Sequence, residues 1–167
     1  MIRAAFLVPG HDSIILIDPS EYPSFLSKKE GFLWVSLENA SESELNLVLS
    51  DTFHFHPLAI EDCFSAGYQV SKLDDFSDFI FIITHGITQS QDLNDLQTNE
   101  LDLFLGNNYL VTCYTDPALP AISKTWDLVN KDYRLSKNGP DFLCHNILDA
   151  LVDEYMPLID HMESEVV

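Results

Sequence analysis

Val70-Ser71-Lys72-Leu73-Asp74-Asp75-Phe76-Ser77-Asp78-Phe79-Ile80-Phe81-Ile82-Ile83 changes character halfway along. Val70 and Leu73 lead into an acidic turn at Asp74, Asp75 and Asp78, after which residues 79–87 are nearly continuous apolar and β-branched sequence. Such a run reads as a central strand. Beyond it, residues 88–99 are polar without a strong period and are read as a surface loop. Leu101, Leu103 and Leu105 then alternate with Asp102 and Phe104, Gly106-Asn107-Asn108 supplies turn residues, and residues 109–114 return as a strand. That pattern predicts a hairpin.

Toward the N-terminus, residues 2–8 and 14–17 read as strands separated by a turn at Pro9-Gly10, and Asp18-Pro19-Ser20 ends the second. Residues 32–37 are a further strand. Ser41-Glu42-Ser43-Glu44 has the Ser-x-x-Glu form of a capping box, with Leu45, Val48 and Leu49 at helical spacing behind it. A short helix is expected to start at His56-Pro57, because proline is tolerated in a first turn whose N–H groups have no partner to lose.

The last third is predicted helical. Asp116-Pro117 opens one helix, and Ile122, Trp126, Val129 and Tyr133 share its buried face until Asn138-Gly139-Pro140 stops it. A final helix opens at Asp141 with a seam of Cys144, Leu148, Leu151, Tyr155, Leu158 and Met162, bent or loosened at Pro157. Its apolar pattern still runs at Val167, so the chain is expected to stop inside a longer helix.

The 167 residues carry 27 Asp and Glu against 8 Lys and Arg, a formal charge of −19, which argues against nucleic acid as a partner because neutralising phosphates needs basic clusters. With 46% hydrophobic residues the chain is too apolar to be an acidic disordered tail. Its apolar runs are far shorter than the roughly 18 residues a membrane span requires. Cys63, Cys113 and Cys144 lie far apart with no C-x-x-C pair, which suits a reducing compartment. No basic residue occurs in 73–123, while Asp74, Asp75, Asp78, Asp92, Asp95, Glu100, Asp102 and Asp116 fall there or at its border. Hard divalent cations such as Mg²⁺ take oxygen ligands and keep much of their water, so carboxylates on loops can bind them without a tight motif. The same charge also fits a solvated surface.

His54-Phe55-His56, with Glu61, Asp62 and Cys63 close behind, raises a zinc site, but no fourth ligand has recognisable spacing. Cys63 follows two acids, which raise a thiol pKa and oppose a nucleophilic role. There is no Gly-x-Ser-x-Gly, Gly-x-Gly-x-x-Gly or P-loop frame, so no enzyme class gains support and no organic cofactor is expected.

Trp34-Val35-Ser36-Leu37, His56-Pro57-Leu58-Ala59-Ile60-Glu61-Asp62, residues 70–83 and Leu148-Asp149-Ala150-Leu151-Val152-Asp153-Glu154-Tyr155 resemble, in order and spacing, the cytosolic N-terminal domain of the CorA family of magnesium and cobalt transporters. The resemblance covers the chain from about residue 32 to its end. It implies an α/β/α sandwich, with a mixed and largely antiparallel sheet between helix layers in residues 1–140 and the start of a long stalk helix in 141–167. It further implies a homopentamer whose downstream helices enter the inner membrane and carry a Gly-Met-Asn pore motif. Divalent cations bound between subunits would gate it, partly through an acid in the loop after the central strand. Ser90 stands at that place, with Asp92 and Asp95 shortly after as the candidate metal ligands. His56, Pro57, Glu61, Asp62, Asp74 and Asp75 are the structural residues of the shared motif. Zinc carriers share the domain, so a CorA-like zinc transporter is one alternative; a self-standing acidic protein-interaction module is another.

Overall fold

Two of the predicted strands, β3 (Phe32–Glu38) and β7 (Tyr109–Tyr114), lie side by side and parallel, with Leu33 opposite Tyr109 and Leu37 opposite Cys113. The structure is a computed structural model and describes residues 1–65, 67–89, 96–115 and 119–165. Around this pair the sheet is completed by β1 (Ile2–Leu7), β2 (Ile14–Ile15), β4 (Lys72–Asp75), β5 (Ile80–Gln89) and β6 (Leu96–Leu105) in the order β2-β1-β3-β7-β6-β5-β4. Every pairing except β3 with β7 is antiparallel among the described residues. The expected mixed, largely antiparallel sheet is therefore present, and helices cover both of its faces.

Because successive side chains of a strand point to opposite faces, β3 feeds two cores at once. Leu33, Val35 and Leu37 enter the first, together with Phe6, Phe81, Phe104 and Val111. Its helical cover is α1 (Tyr22–Leu26), α2 (Glu42–Leu45) continuing into a π-helical segment (Asn46–Thr52), and α3 (Pro57–Phe64), which contribute Tyr22, Val48, Leu49 and Ala59. Phe32 and Trp34 enter the second core, under α4 (Pro120–Leu128), α5 (Tyr133–Lys137) and α6 (Gly139–Asp153). Each fully buried Leu, Val or Phe there contributes about 1.5–3 kcal/mol, and a strand wet on neither face has no reason to alternate.

Several elements differ from the sequence reading, each for a local reason. The strand expected over 14–17 pairs only at Ile14 and Ile15; Leu16 turns left-handed (φ 63°) and is 89% exposed, which ends the ladder. Asp18 then caps a 3₁₀ turn (Pro19–Glu21) with a complete capping box to Glu21, and α1 follows, a helix the sequence reading missed. Asp74 and Asp75 belong to strand β4, not to a turn. The turn lies after them, where Asp75 Oδ1 accepts the Ser77 N–H at 2.8 Å and Ser77 is left-handed at φ 71°. The polar segment read as a loop is partly strand, since β5 and β6 stay paired out to Gln89 opposite Leu96. Ladder hydrogen bonds are made by the backbone and need no apolar side chains.

The helix expected from Asp116 to 138 is two. Asp116 and Pro117 lie outside the described residues; α4 begins at Pro120, and Asp132 starts α5 by accepting the Arg134 N–H. The restart shifts the frame, leaving Tyr133 74% exposed and burying Leu135 instead. The terminal helix is also divided, into α6 and α7 (Met156–Glu165). Pro157 has no N–H to offer the Asp153 carbonyl, which accounts for a break at Glu154 and Tyr155. The buried face of α6 is Leu143, Cys144, Ile147 and Leu151, while Met162 of the expected seam is exposed.

Candidate functional site

The shared motif assembles one end of the sheet. His56 starts α3 with extended backbone, and its Nδ1 accepts the Leu58 N–H at 3.2 Å. Its ring stacks on Phe76, with centroids 5.0 Å apart. Pro57 occupies the first turn, where its fixed φ suits a helix start. These two residues aim α3 so that Glu61 and Asp62 face the edge strand β4. A cleft of about 560 Å³ results, walled by Leu58, Glu61, Asp62, Lys72, Asp74, Asp75 and Phe76.

Lys72 stands at its centre, with Nζ 2.7 Å from Asp62 Oδ2 and 2.8 Å from Asp74 Oδ2. The hydrogen bonds it donates to Asp62 and then Asp74 push its pKa up to about 12. One ammonium thus serves two carboxylates while Glu61 and Asp75 stand at the rim, so the cleft keeps an excess of negative charge. Such an arrangement can exchange a lysine for a hydrated divalent cation, which brings twice the charge to the same oxygens. As they stand, no three His, Cys, Asp or Glu side chains among the described residues converge as a ready metal centre.

Ser90, Asp92 and Asp95 lie outside the described residues. His54 and His56 do not act as a pair: His54 is left-handed (φ 53°) with Nδ1 2.9 Å from the Ser50 carbonyl, whereas His56 caps α3. Cys63 lies at the wall of an inner cavity of about 250 Å³, shared with Glu100, Asp102 and Cys113. Its neighbour Cys113, burial and Asp102 together hold its thiol well above the usual range.

Sequence reasoning passed over Asp102. It is 4% exposed, its Oδ1 has no hydrogen-bond partner, and burial pushes its pKa up to about 7 against the opposing Cys63 hydrogen bond. The available signal was its two-residue spacing from Phe104, which puts both side chains on one face of β6. His85 was passed over too. It is buried on β5, with Nε2 3.7 Å from Glu100 and Nδ1 3.0 Å from the Ser71 hydroxyl. Desolvation raises the Glu100 carboxyl, opposed by His85 and the Gln69 N–H.

A sheet of this order between two helix layers is the fold of the soluble domain of CorA from Methanocaldococcus jannaschii, which aligns over 99% of this chain and 61% of that one with a TM-score of 0.71 at 18% identity. It is equally that of the ZntB cytoplasmic domain from Vibrio parahaemolyticus, over 98% of this chain and 63% of that one, with a TM-score of 0.67 at 13% identity. The chain belongs to the CorA-like Mg²⁺ transporter family, whose family model matches residues 29–167. Among relatives, YfjQ of Bacillus subtilis (strain 168), a candidate metal ion transporter, is 36% identical over 133 residues, covering 80% of this chain and 40% of its own length. The cobalt/magnesium transport protein CorA of Thermotoga maritima is 24% identical over 138 residues, covering 80% of this chain and 38% of its own. The chain thus spans about two fifths of the curated relatives it matches.

Proposed function

We propose that this chain is the cytoplasmic regulatory and assembly part of a divalent cation transporter for Mg²⁺ or Co²⁺, residues 1–140 forming the domain and 141–167 the beginning of a stalk helix. In this reading five copies assemble, and helices outside this chain cross the inner membrane. No described helix is long and apolar enough to do so. Transport rather than enzymatic turnover is the activity, the divalent ion is both cargo and regulator, and no organic cofactor takes part. Family membership supports the reading, and the observation that carries it to particular residues is the cleft in which Asp62 and Asp74 share Lys72.

The mechanism is electrostatic. A formal charge of −19 per copy makes assembled domains repel one another. Mg²⁺ held by carboxylates where copies meet offsets that repulsion and keeps the pore closed; losing the ion lets the domains separate. In this reading Glu61, Asp62, Asp74 and Asp75, which the family resemblance gives as structural residues, also supply carboxylates for that task, beside Asp92 and Asp95, which the resemblance suggests as ligands.

Thermal unfolding in millimolar MgCl₂, against NaCl of equal ionic strength, tests the cleft. Mg²⁺ should raise the midpoint of the native chain, and Asp62→Asn with Asp74→Asn should abolish the rise while Asp92→Ala with Asp95→Ala reveals any share of theirs. No difference between the two salts would reject the cleft as a cation site. A response to ZnCl₂ at much lower concentration than to MgCl₂ would favour the zinc carrier over the magnesium and cobalt one.

A further inference from the structure

The inner cavity of about 250 Å³ lies between the last turn of α3 and the β6–β7 ladder, and its chemistry is one-sided. Cys63 reaches it from α3, while Asp102 and Cys113 stand directly opposite each other on β6 and β7 and so share a face. Glu100, two residues back along β6, adds a second carboxyl. No lysine, arginine or histidine is among its described lining residues. Ser65 and Gly67, both exposed, form its rim and open it to solvent.

The two thiols and the acid are in contact. The Cys63 thiol hydrogen-bonds with the Cys113 sulfur and with the Asp102 carboxyl. Asp102 is 4% exposed, yet its Oδ1 has no hydrogen-bond partner. A buried carboxyl oxygen left unpaired beside two sulfurs is unfavourable as it stands, and a cation in the cavity would relieve it. The Cys113 sulfur, burial and Asp102 hold the Cys63 thiol well above its usual range, an environment that resists a bare thiolate. A coordinated metal ion reverses that balance, because its own positive charge replaces the thiol proton. Cys144 provides the contrast: it is buried in the second core, on the opposite face of the sheet, and no other cysteine is among the described residues there.

We propose that Cys63 and Cys113 form a two-sulfur site for a soft monovalent metal ion, Cu⁺ in a cell, with Asp102 beside it. Thiolate sulfur selects soft ions, and a monovalent ion with a filled d shell is satisfied by two such donors, so no third ligand is needed. Binding breaks two S–H bonds and forms two metal–sulfur bonds; both protons leave, and the oxidation state of the metal does not change. The bound ion ties the end of α3 to β7. The site shares no lining residue with the cleft between α3 and β4, whose carboxylate oxygens suit hard ions, and its occupancy does not depend on that cleft.

Transfer of Cu⁺ from its bicinchoninate complex to the reduced, metal-free chain, followed without oxygen by loss of the chelator's colour, tests this. The native chain should take up about one ion, and X-ray absorption at the copper edge should show sulfur neighbours only. Cys63→Ser and Cys113→Ser should each weaken uptake by at least about a hundredfold, more than the loss of a group that merely orients a ligand. Cys144→Ser should leave it unchanged. Cys63 ends a helix and is less buried than Cys113, so Cys63→Ser decides the matter even where Cys113→Ser impairs folding. Asp62→Asn with Asp74→Asn should bind Cu⁺ as the native chain does, which separates this site from the cleft. No uptake by the native chain, uptake that survives Cys63→Ser or falls equally in Cys144→Ser, or displacement of the ion by Mg²⁺ would overturn the site.

Discussion

The two faces of the sheet are both dry but are built differently. On the face under α4, α5 and α6, the buried polar side chains are hydroxyls: Ser36, Thr112, Thr125 and Ser136. Thr112 takes the Trp34 Nε1–H at 3.2 Å, and Thr125 bonds back to Ala121 within its own helix. On the face under α1, α2 and α3, a bed of stacked rings, with Phe55 on Phe104 at 4.3 Å, runs into the buried ionisable residues His85 and Asp102. The helical layers differ in the same sense. The first is made of short capped pieces, whereas α6 runs unbroken for 15 residues on the second. One face is a support; the other carries groups whose charge can change.

Trp34→Ala removes the largest fully buried side chain of the supporting face and should cost about 3–5 kcal/mol in urea unfolding. A loss below about 1 kcal/mol, the range of ordinary surface changes, would mean that this face is not the support. Asp102→Asn tests the other face with the opposite sign. The folded pKa of about 7 lies above the ordinary 3.8, so between those values the folded state binds more protons than the unfolded one. Native stability should therefore fall as pH rises from about 3.8 to about 7 and stay lower above it. Asp102→Asn should remove that fall and stabilise the protein above neutrality by at most about 4 kcal/mol, since each pH unit between the unfolded and folded values is worth roughly 1.4 kcal/mol. Unfolding curves at acid and alkaline pH measure the difference, and parallel pH profiles for the two proteins would contradict a buried proton at Asp102. The smallest effect is expected at a helix start. Ser41→Ala should cost about 1 kcal/mol by removing the cap of α2, since short helices depend on their termini. A Ser41→Ala change without effect on the melting midpoint would show that packing of Val48 and Leu49, rather than the cap, holds that layer.

Much of this was legible in the residues. Ser41 and Glu44 do form both bonds of the capping box, Pro57 does open α3, and the hairpin joining β6 to β7 is where the leucine alternation placed it. The same logic read Asp102 as one acid among many, because alternation says which residues share a face and not whether that face is wet. The extension of β5 and β6 into polar sequence escaped for a related reason: backbone pairing leaves no trace in hydropathy. At the cleft, the motif supplied Asp62 and Asp74, but the lysine that joins them was only one letter in a strand. His85 and Tyr155 are 70 residues apart, and no pattern within either segment announces their contact.

The sequence by itself determined the helix starts at Ser41 and Pro57, the β6–β7 hairpin, the acidic excess and the family, because caps, prolines, turn residues and apolar period act over a few neighbouring residues. Only the tertiary structure decided which acids became neighbours, which one was buried, and which side chains of the terminal helix were covered. Those outcomes depend on distances between segments remote in the chain, and on how far each carboxylate is removed from water.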